Sequence, residues 1–148
     1  MHGPFSADEL AGIVSLFEAL TRDELDQAIQ ELAYRHEGTV ISKAERMAMI
    51  DGAVTDYVLI EDGDVICVGP AAFPVLPAEA EDLPHLLEVS RRTIDRDQIA
   101  ETLLADLLTQ LEDQTDAESV ARVRELTYEL EAWADVDADT VRKRLPEE

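Results

Sequence analysis

The chain has 148 residues, 46% of them hydrophobic, and 34 Asp plus Glu against 12 Lys plus Arg give a formal charge of −22. That length fits one domain, or one with an appended subdomain, and the apolar content is too high for intrinsic disorder despite the charge. A single Cys67 excludes an internal disulfide framework and a multi-cysteine zinc site, and no apolar run reaches the roughly 20 residues needed to span a bilayer. Met1-His2-Gly3-Pro4 lacks the charged and long apolar regions of an export signal, so a cytoplasmic protein is expected.

Ser6-Ala7-Asp8-Glu9 reads as a capping box, with Phe5 and Leu10 at the spacing of a hydrophobic staple. Leu10, Ile13, Val14, Phe17 and Leu20 follow at helical spacing and predict a helix over about 7 to 19. Thr21-Arg22-Asp23-Glu24 repeats the device ahead of Leu25, Ala28, Ile29, Leu32 and Ala33, with Gly38 as the stop. Ser42-Lys43-Ala44-Glu45 opens a third helix over about 43 to 54, with Met47, Ile50 and Val54 inward. Tyr57-Val58-Leu59-Ile60-Glu61 and Asp64-Val65-Ile66-Cys67-Val68 then flank Asp62-Gly63, the signal of a two-residue hairpin turn with positive φ at both central positions. Two strands alone are marginal in water, so the hairpin is expected to lean on the helices.

Pro70, Pro74, Pro77 and Pro84 predict an ordered extended segment on the surface of the N-terminal unit, and a short helix from Leu83 to Val89 with Pro84 in its first turn. The remainder is helical. Asp95-Arg96-Asp97-Gln98 caps a helix carrying Ala100, Leu103, Leu104, Leu107, Leu108 and Leu111. Thr115-Asp116-Ala117-Glu118 caps the next, with Val120, Val123, Leu126, Leu130 and Trp133, and the last begins at Asp137 and ends near Leu145. Trp133 and Tyr128 are expected in the core. The expected fold class is mostly α with one β-hairpin: a winged-helix-like unit over residues 1–77 and a helical extension over 78–148 packed on it.

The acids, 16 Asp and 18 Glu, are dispersed rather than gathered in a tail, and the 12 cations comprise ten Arg and only two Lys, Lys43 and Lys143. A dispersed acidic coat with so little Lys fits a protein working in molar salt. There the Debye length falls to roughly 3 Å and self-repulsion is screened.

Helix, helix, helix, strand, turn, strand over residues 6–68 is the order of a winged-helix domain, with the third helix as recognition helix and Asp62-Gly63 at the wing tip. The joint from Glu37 to Ser42 is longer than a tight helix-turn-helix connection. Glu-Ala-Leu-Thr-Arg-Asp-Glu-Leu at 18–25, Val-Gly-Pro-Ala-Ala-Phe-Pro-Val-Leu-Pro at 68–77, Glu-Asp-Leu-Pro-His at 81–85 and Tyr-Glu-Leu-Glu-Ala-Trp at 128–133 together resemble a family of small, uncharacterised, acidic haloarchaeal proteins. The resemblance spans most of the chain and implies a haloarchaeal cytoplasmic source. It carries no catalytic residue across.

No constellation for chemistry emerges. His36, Cys67 and His85, with His2, are too far apart in sequence for a zinc site, so no metal is expected. Ser6, Thr21 and Ser42 are occupied as helix caps, no Gly-x-Ser-x-Gly elbow occurs, and no glycine-rich phosphate loop is present. Neither enzymatic activity nor a cofactor is expected.

Three groups remain as candidate contacts. Phe73, Val75 and Leu76 would form a protein-binding strip if exposed, but burial is expected, because a contiguous apolar strip in molar salt invites aggregation. Arg91, Arg92 and Arg96 are the densest positive spot, read either as a contact or as salt bridges joining the two subdomains. Arg35, Lys43 and Arg46 sit around the second and third helices, where a DNA reader would place cations, although neighbouring acids balance them. The expected function is a non-enzymatic interaction module binding an unknown protein partner or a second copy of itself. The alternative is a winged-helix DNA-binding transcriptional regulator.

Overall fold

The computed structural model describes residues 5–36, 38–113 and 116–146. The chain divides into two units, Met1–Ile94 and Asp95–Glu148. The division falls at residue 94 rather than after 77, because residues 78–94 are bound into the first unit. Ala80 and Leu83 are fully buried in its core, and Arg92 is paired with Glu24.

The first unit starts on local chemistry. Helix α1 (Ala7–Ser15) forms both halves of its capping box: the Glu9 amide donates to Ser6 Oγ at 3.1 Å and the Ser6 amide to the Glu9 carboxylate at 3.0 Å. It stops four residues short of expectation, with Leu16 as C-cap, and Glu18 in the left-handed region (φ 67°) turns the chain away. Ala19–Thr21 then forms strand β1, which was not expected. Three residues are too few for alternation to show, and the strand exists because a distant partner offers it an edge.

Helix α2 (Arg22–Arg35) begins on the second complete box, Thr21 with Glu24, and buries Leu25, Ala28, Ile29, Leu32 and Ala33 as the spacing predicts. Helix α3 (Lys43–Thr55) starts on Ser42, whose Oγ accepts the Glu45 amide at 3.2 Å. It buries Ile50 and Ala53, with Met47 and Val54 half-buried against the same core.

Strands β2 (Leu59–Asp62) and β3 (Val65–Val68) pair antiparallel with Asp62 opposite Val65. The two-residue loop is therefore Gly63-Asp64, one position later than expected. Only Gly63 takes a positive φ (60°), which suits a type II′ turn with glycine first. Strand β1 pairs along the other edge of β3, with Leu20 opposite Ile66, giving the order β1-β3-β2. Leu10, Ile13, Phe17, Leu20, Ile29, Ile50, Leu59 and Ile66 are almost wholly buried, each contributing roughly 1.5–3 kcal/mol on burial. A 3-10 turn (Ala80–Asp82) leads into helix α4 (Leu83–Leu87), with Pro84 in its first turn, and Glu88 in the left-handed region (φ 53°) ends it.

The second unit holds α5 (Arg96–Asp113), α6 (Ala117–Trp133) and α7 (Asp139–Arg144), with α7 packed against both longer helices. Ile99, Ala100, Leu104, Leu107, Val120, Val123, Leu126, Leu130 and Val141 are buried. Arg142 joins α7 to α6 through two bonds to Glu131, at 2.9 and 2.8 Å, and its guanidinium lies 4.5 Å from the Tyr128 ring centroid. Tyr128 is thus 57% exposed beneath a cation rather than in the core. Trp133 is half-buried, with Arg96 5.2 Å from its ring centroid. Asp137 forms a local turn with the Asp139 amide (3.0 Å) and is not the cap of α7.

Four expectations touch residues outside the described ones: the export-signal reading on Met1–Pro4, His2 among the weighed metal ligands, Glu37 in the α2–α3 joint, and Thr115 as a cap. Asp116 caps α6 instead, accepting the Ser119 amide at 3.0 Å. No helix among the described residues is long and apolar enough to cross a membrane.

Candidate interaction surface

Residues 69–77 leave β3 and run as an extended strap against α1. At its start the Gly69 amide donates to the Val58 carbonyl at 2.8 Å and the Ala71 amide to the Tyr57 carbonyl at 3.1 Å. Against α1 two bonds hold the strap, both to Asp8, from the Val75 amide to its carbonyl at 2.9 Å and from the Phe73 amide to its Oδ1 at 3.1 Å. Gly12 lies directly beneath. A Cβ at that position would stand 2.1 Å from the Val75 carbonyl oxygen, so only glycine admits the strap at this distance.

Because the backbone makes the contact, the side chains turn away. Phe73 is 79% exposed, Val75 51% and Leu76 46%. The expected burial of these three is therefore wrong. Burial is supplied at the ends of the segment instead, by half-buried Ala71 and Ala72 against the core and by buried Pro77. Pro77 and Ala78 then wall a pocket of ≈170 Å³ with Phe5, Leu32 and Ala33, and Glu9 and His36 also line it.

The cations are mostly committed within the fold. The Arg92 guanidinium reaches both Glu24 oxygens, at 2.6 and 3.1 Å, and the Ala19 carbonyl at 3.1 Å, while its amide donates to the Phe17 carbonyl at 2.9 Å. Arg92 thus ties its segment to the turn before β1, to the first residue of β1 and to the start of α2. The Arg92 pair holds the Glu24 carboxyl below its ordinary range, against the opposing effect of burial. Arg91 pairs with Glu18 at 3.6 Å. Arg96 belongs to the second unit and reaches the Trp133 carbonyl at 3.5 Å. The partners of all three lie within their own units.

Around α3 the same holds. Arg46 is paired with Asp26, both largely buried, and bonds the Ile41 carbonyl. Arg35 pairs with Glu31 one turn earlier, at 3.3 Å. Arg22, not singled out in the sequence, ties Asp51 of α3 (2.8 Å) to Glu61 of β2 (2.6 Å). Lys43 is exposed and takes no part in the ion pairs among the described residues. Glu61, Asp62 and Asp64 are all exposed at the hairpin tip. No group of three His, Cys, Asp or Glu side chains is arranged to hold a metal among the described residues.

Asp8, Gly12 and the pocket were missed in the sequence. The available signal was Gly12, a glycine inside a strong helical pattern, which marks a close approach by another element. A family model matches residues 8–148, and its description is a family of unknown function (DUF7109). No curated protein and no solved structure matches the chain.

Proposed function

The chain belongs to DUF7109, and for it we propose a non-enzymatic protein-interaction module of a halophilic archaeal cytoplasm, contacting its partner through the strap. One observation carries this reading: Phe73, Val75 and Leu76 point outward from a backbone that Asp8 and Gly12 hold in place. A fixed backbone displaying neighbouring apolar side chains loses little entropy on binding, which favours contact. The acidic balance and the scarcity of lysine support the halophilic setting.

The alternative, a winged-helix DNA-binding transcriptional regulator, draws support from the order α1-β1-α2-α3-β2-β3 and the sheet order β1-β3-β2. Its chemistry is poor. Arg46 and Arg22 hold carboxylates, Glu61 at the wing among them, and Asp62 and Asp64 add two more at the wing tip, where phosphate would have to lie. The test is co-purification from cells lysed in about 2 M KCl, where contact between apolar surfaces persists while charge is screened. Wild type and the triple variant Phe73→Ser/Val75→Ser/Leu76→Ser are compared, alongside retention of genomic DNA fragments. A protein captured by wild type and lost by the triple variant supports the module. Selected DNA fragments lost on Lys43→Glu, with no strap-dependent protein, favour the regulator.

A further inference from the structure

Resting on that reading, we propose that the pocket beside the strap receives one apolar side chain of the partner, from a segment that carries lysine or arginine next to it. The strap does not end in solvent. Leu76 leads directly into Pro77 and Ala78, and these two wall the pocket together with Phe5 and Leu32. Its ≈170 Å³ suits a single leucine or phenylalanine side chain, since a cavity of about 150 Å³ holds benzene. The lining is apolar except at Glu9, His36 and Thr39, the composition that orients a ligand by a few polar groups.

Charge selects what flanks that side chain. Glu9 lines the pocket, Asp8 precedes it on α1, and Glu79 and Glu81 are exposed just beyond Ala78. An arriving segment with carboxylates beside its anchor would meet like charge at contact distance, where even molar salt screens incompletely. A second copy of this chain is a poor occupant. It brings 34 acids against 12 cations, and Arg22, Arg35, Arg46, Arg92, Arg122 and Arg142 already hold carboxylates.

The experiment uses the full chain in about 1 M KCl and fluorescein-labelled synthetic peptides, read by anisotropy. The reference peptide has one phenylalanine between pairs of lysines. A second replaces the phenylalanine with serine, and a third replaces the lysines with glutamates. The reference peptide is expected to bind about tenfold or more tightly than the serine peptide, and about threefold more tightly than the glutamate peptide. Ala78→Trp fills the pocket from its exposed rim and is expected to weaken the reference peptide about tenfold. Glu9→Gln keeps an acceptor for the Ser6 amide, so the cap survives. It is expected to narrow the lysine–glutamate difference, with Asp8, Glu79 and Glu81 still present, while leaving the phenylalanine–serine difference intact. No binding of the reference peptide up to about 1 mM overturns the proposal. So does binding indifferent to both Ala78→Trp and Glu9→Gln. If the triple strap variant abolishes binding while Ala78→Trp does not, the contact lies on the strap alone, and the interaction reading survives without the pocket.

Discussion

Replacing Gly12 with alanine sets two effects of opposite sign against each other. Alanine is the better helix former by about 1 kcal/mol, and α1 gains that on substitution. Against it, the new Cβ would lie 2.1 Å from the Val75 carbonyl oxygen and 2.5 Å from its carbon, roughly 1 Å inside contact distance. Backbone atoms cannot rotate away as a side-chain tip can, so the strap must lift. Lifting lengthens the bonds from the Val75 and Phe73 amides to Asp8, each contributing about 0.5–1.5 kcal/mol. With both bonds weakened and the overpacking added, the loss is about 2–3 kcal/mol and the net destabilisation about 1–2 kcal/mol. For a unit of this size that lowers Tm by roughly 4–8 °C per kcal/mol. The control is Gly52→Ala on α3, where no atom lies within 4 Å of the new Cβ. There only the propensity acts, and stability is expected to rise by up to about 1 kcal/mol. Urea and thermal unfolding of the two variants in the same KCl concentration provide the comparison. If Gly12→Ala stabilises the chain as Gly52→Ala does, the strap is not seated on α1 and the account of the surface fails.

Three further outcomes are expected. Lowering KCl from about 2 M to 0.1 M extends the Debye length to roughly 10 Å, lets the −22 charge repel itself and lowers Tm; an unchanged melt contradicts the halophilic reading. Gly63→Val destabilises the chain measurably in urea unfolding, because a β-branched residue resists the φ of 60° there; a wild-type midpoint would mean the turn lies elsewhere. Glu24 and Glu131 titrate below their ordinary value of 4.5, the first mainly through its bonds from Arg92 and the second through its bonds from Arg142. Their contribution is therefore fully present above about pH 4.5 and is lost as pH falls through the lowered folded values. Acid unfolding followed by circular dichroism is expected to be less steep in Glu24→Gln and Glu131→Gln than in wild type, and equal steepness contradicts the two pairings.

What the sequence made legible was local. Ser6 with Glu9 and Thr21 with Glu24 lie three residues apart, so the start of each helix can be read from four consecutive letters. The buried stripe of α2 followed from spacing alone for the same reason. Strand β1 was hidden because Ala19, Leu20 and Thr21 owe their conformation to partners Cys67, Ile66 and Val65. The hairpin turn shifted by one residue because pairing of Asp62 with Val65, rather than the Asp-Gly signal, decides which residues lie in the loop. That the candidate cations pair with acids was among the expectations, but the partners were not legible because they are distant: Arg92 meets Glu24 across 68 residues, and Arg46 meets Asp26 across 20. The strap failed on a different ground. Apolar composition implied buried side chains, whereas here the main chain makes the contact through Gly12 and Asp8 and leaves Phe73, Val75 and Leu76 facing water.

Oxidative footprinting of these three side chains tests the central claim most directly, because hydroxyl radicals label side chains according to their access to solvent. In the isolated protein Phe73, Val75 and Leu76 are expected to label readily, while Phe17 and Leu20, at 1% and 0% exposure, stay unlabelled. In the complex captured at about 2 M KCl, labelling at 73, 75 and 76 is expected to fall about threefold or more, with other exposed apolar residues such as Tyr128 unchanged. Weak labelling of the three in the isolated protein, or unaltered labelling in the complex, contradicts the assignment of the strap as the contact surface.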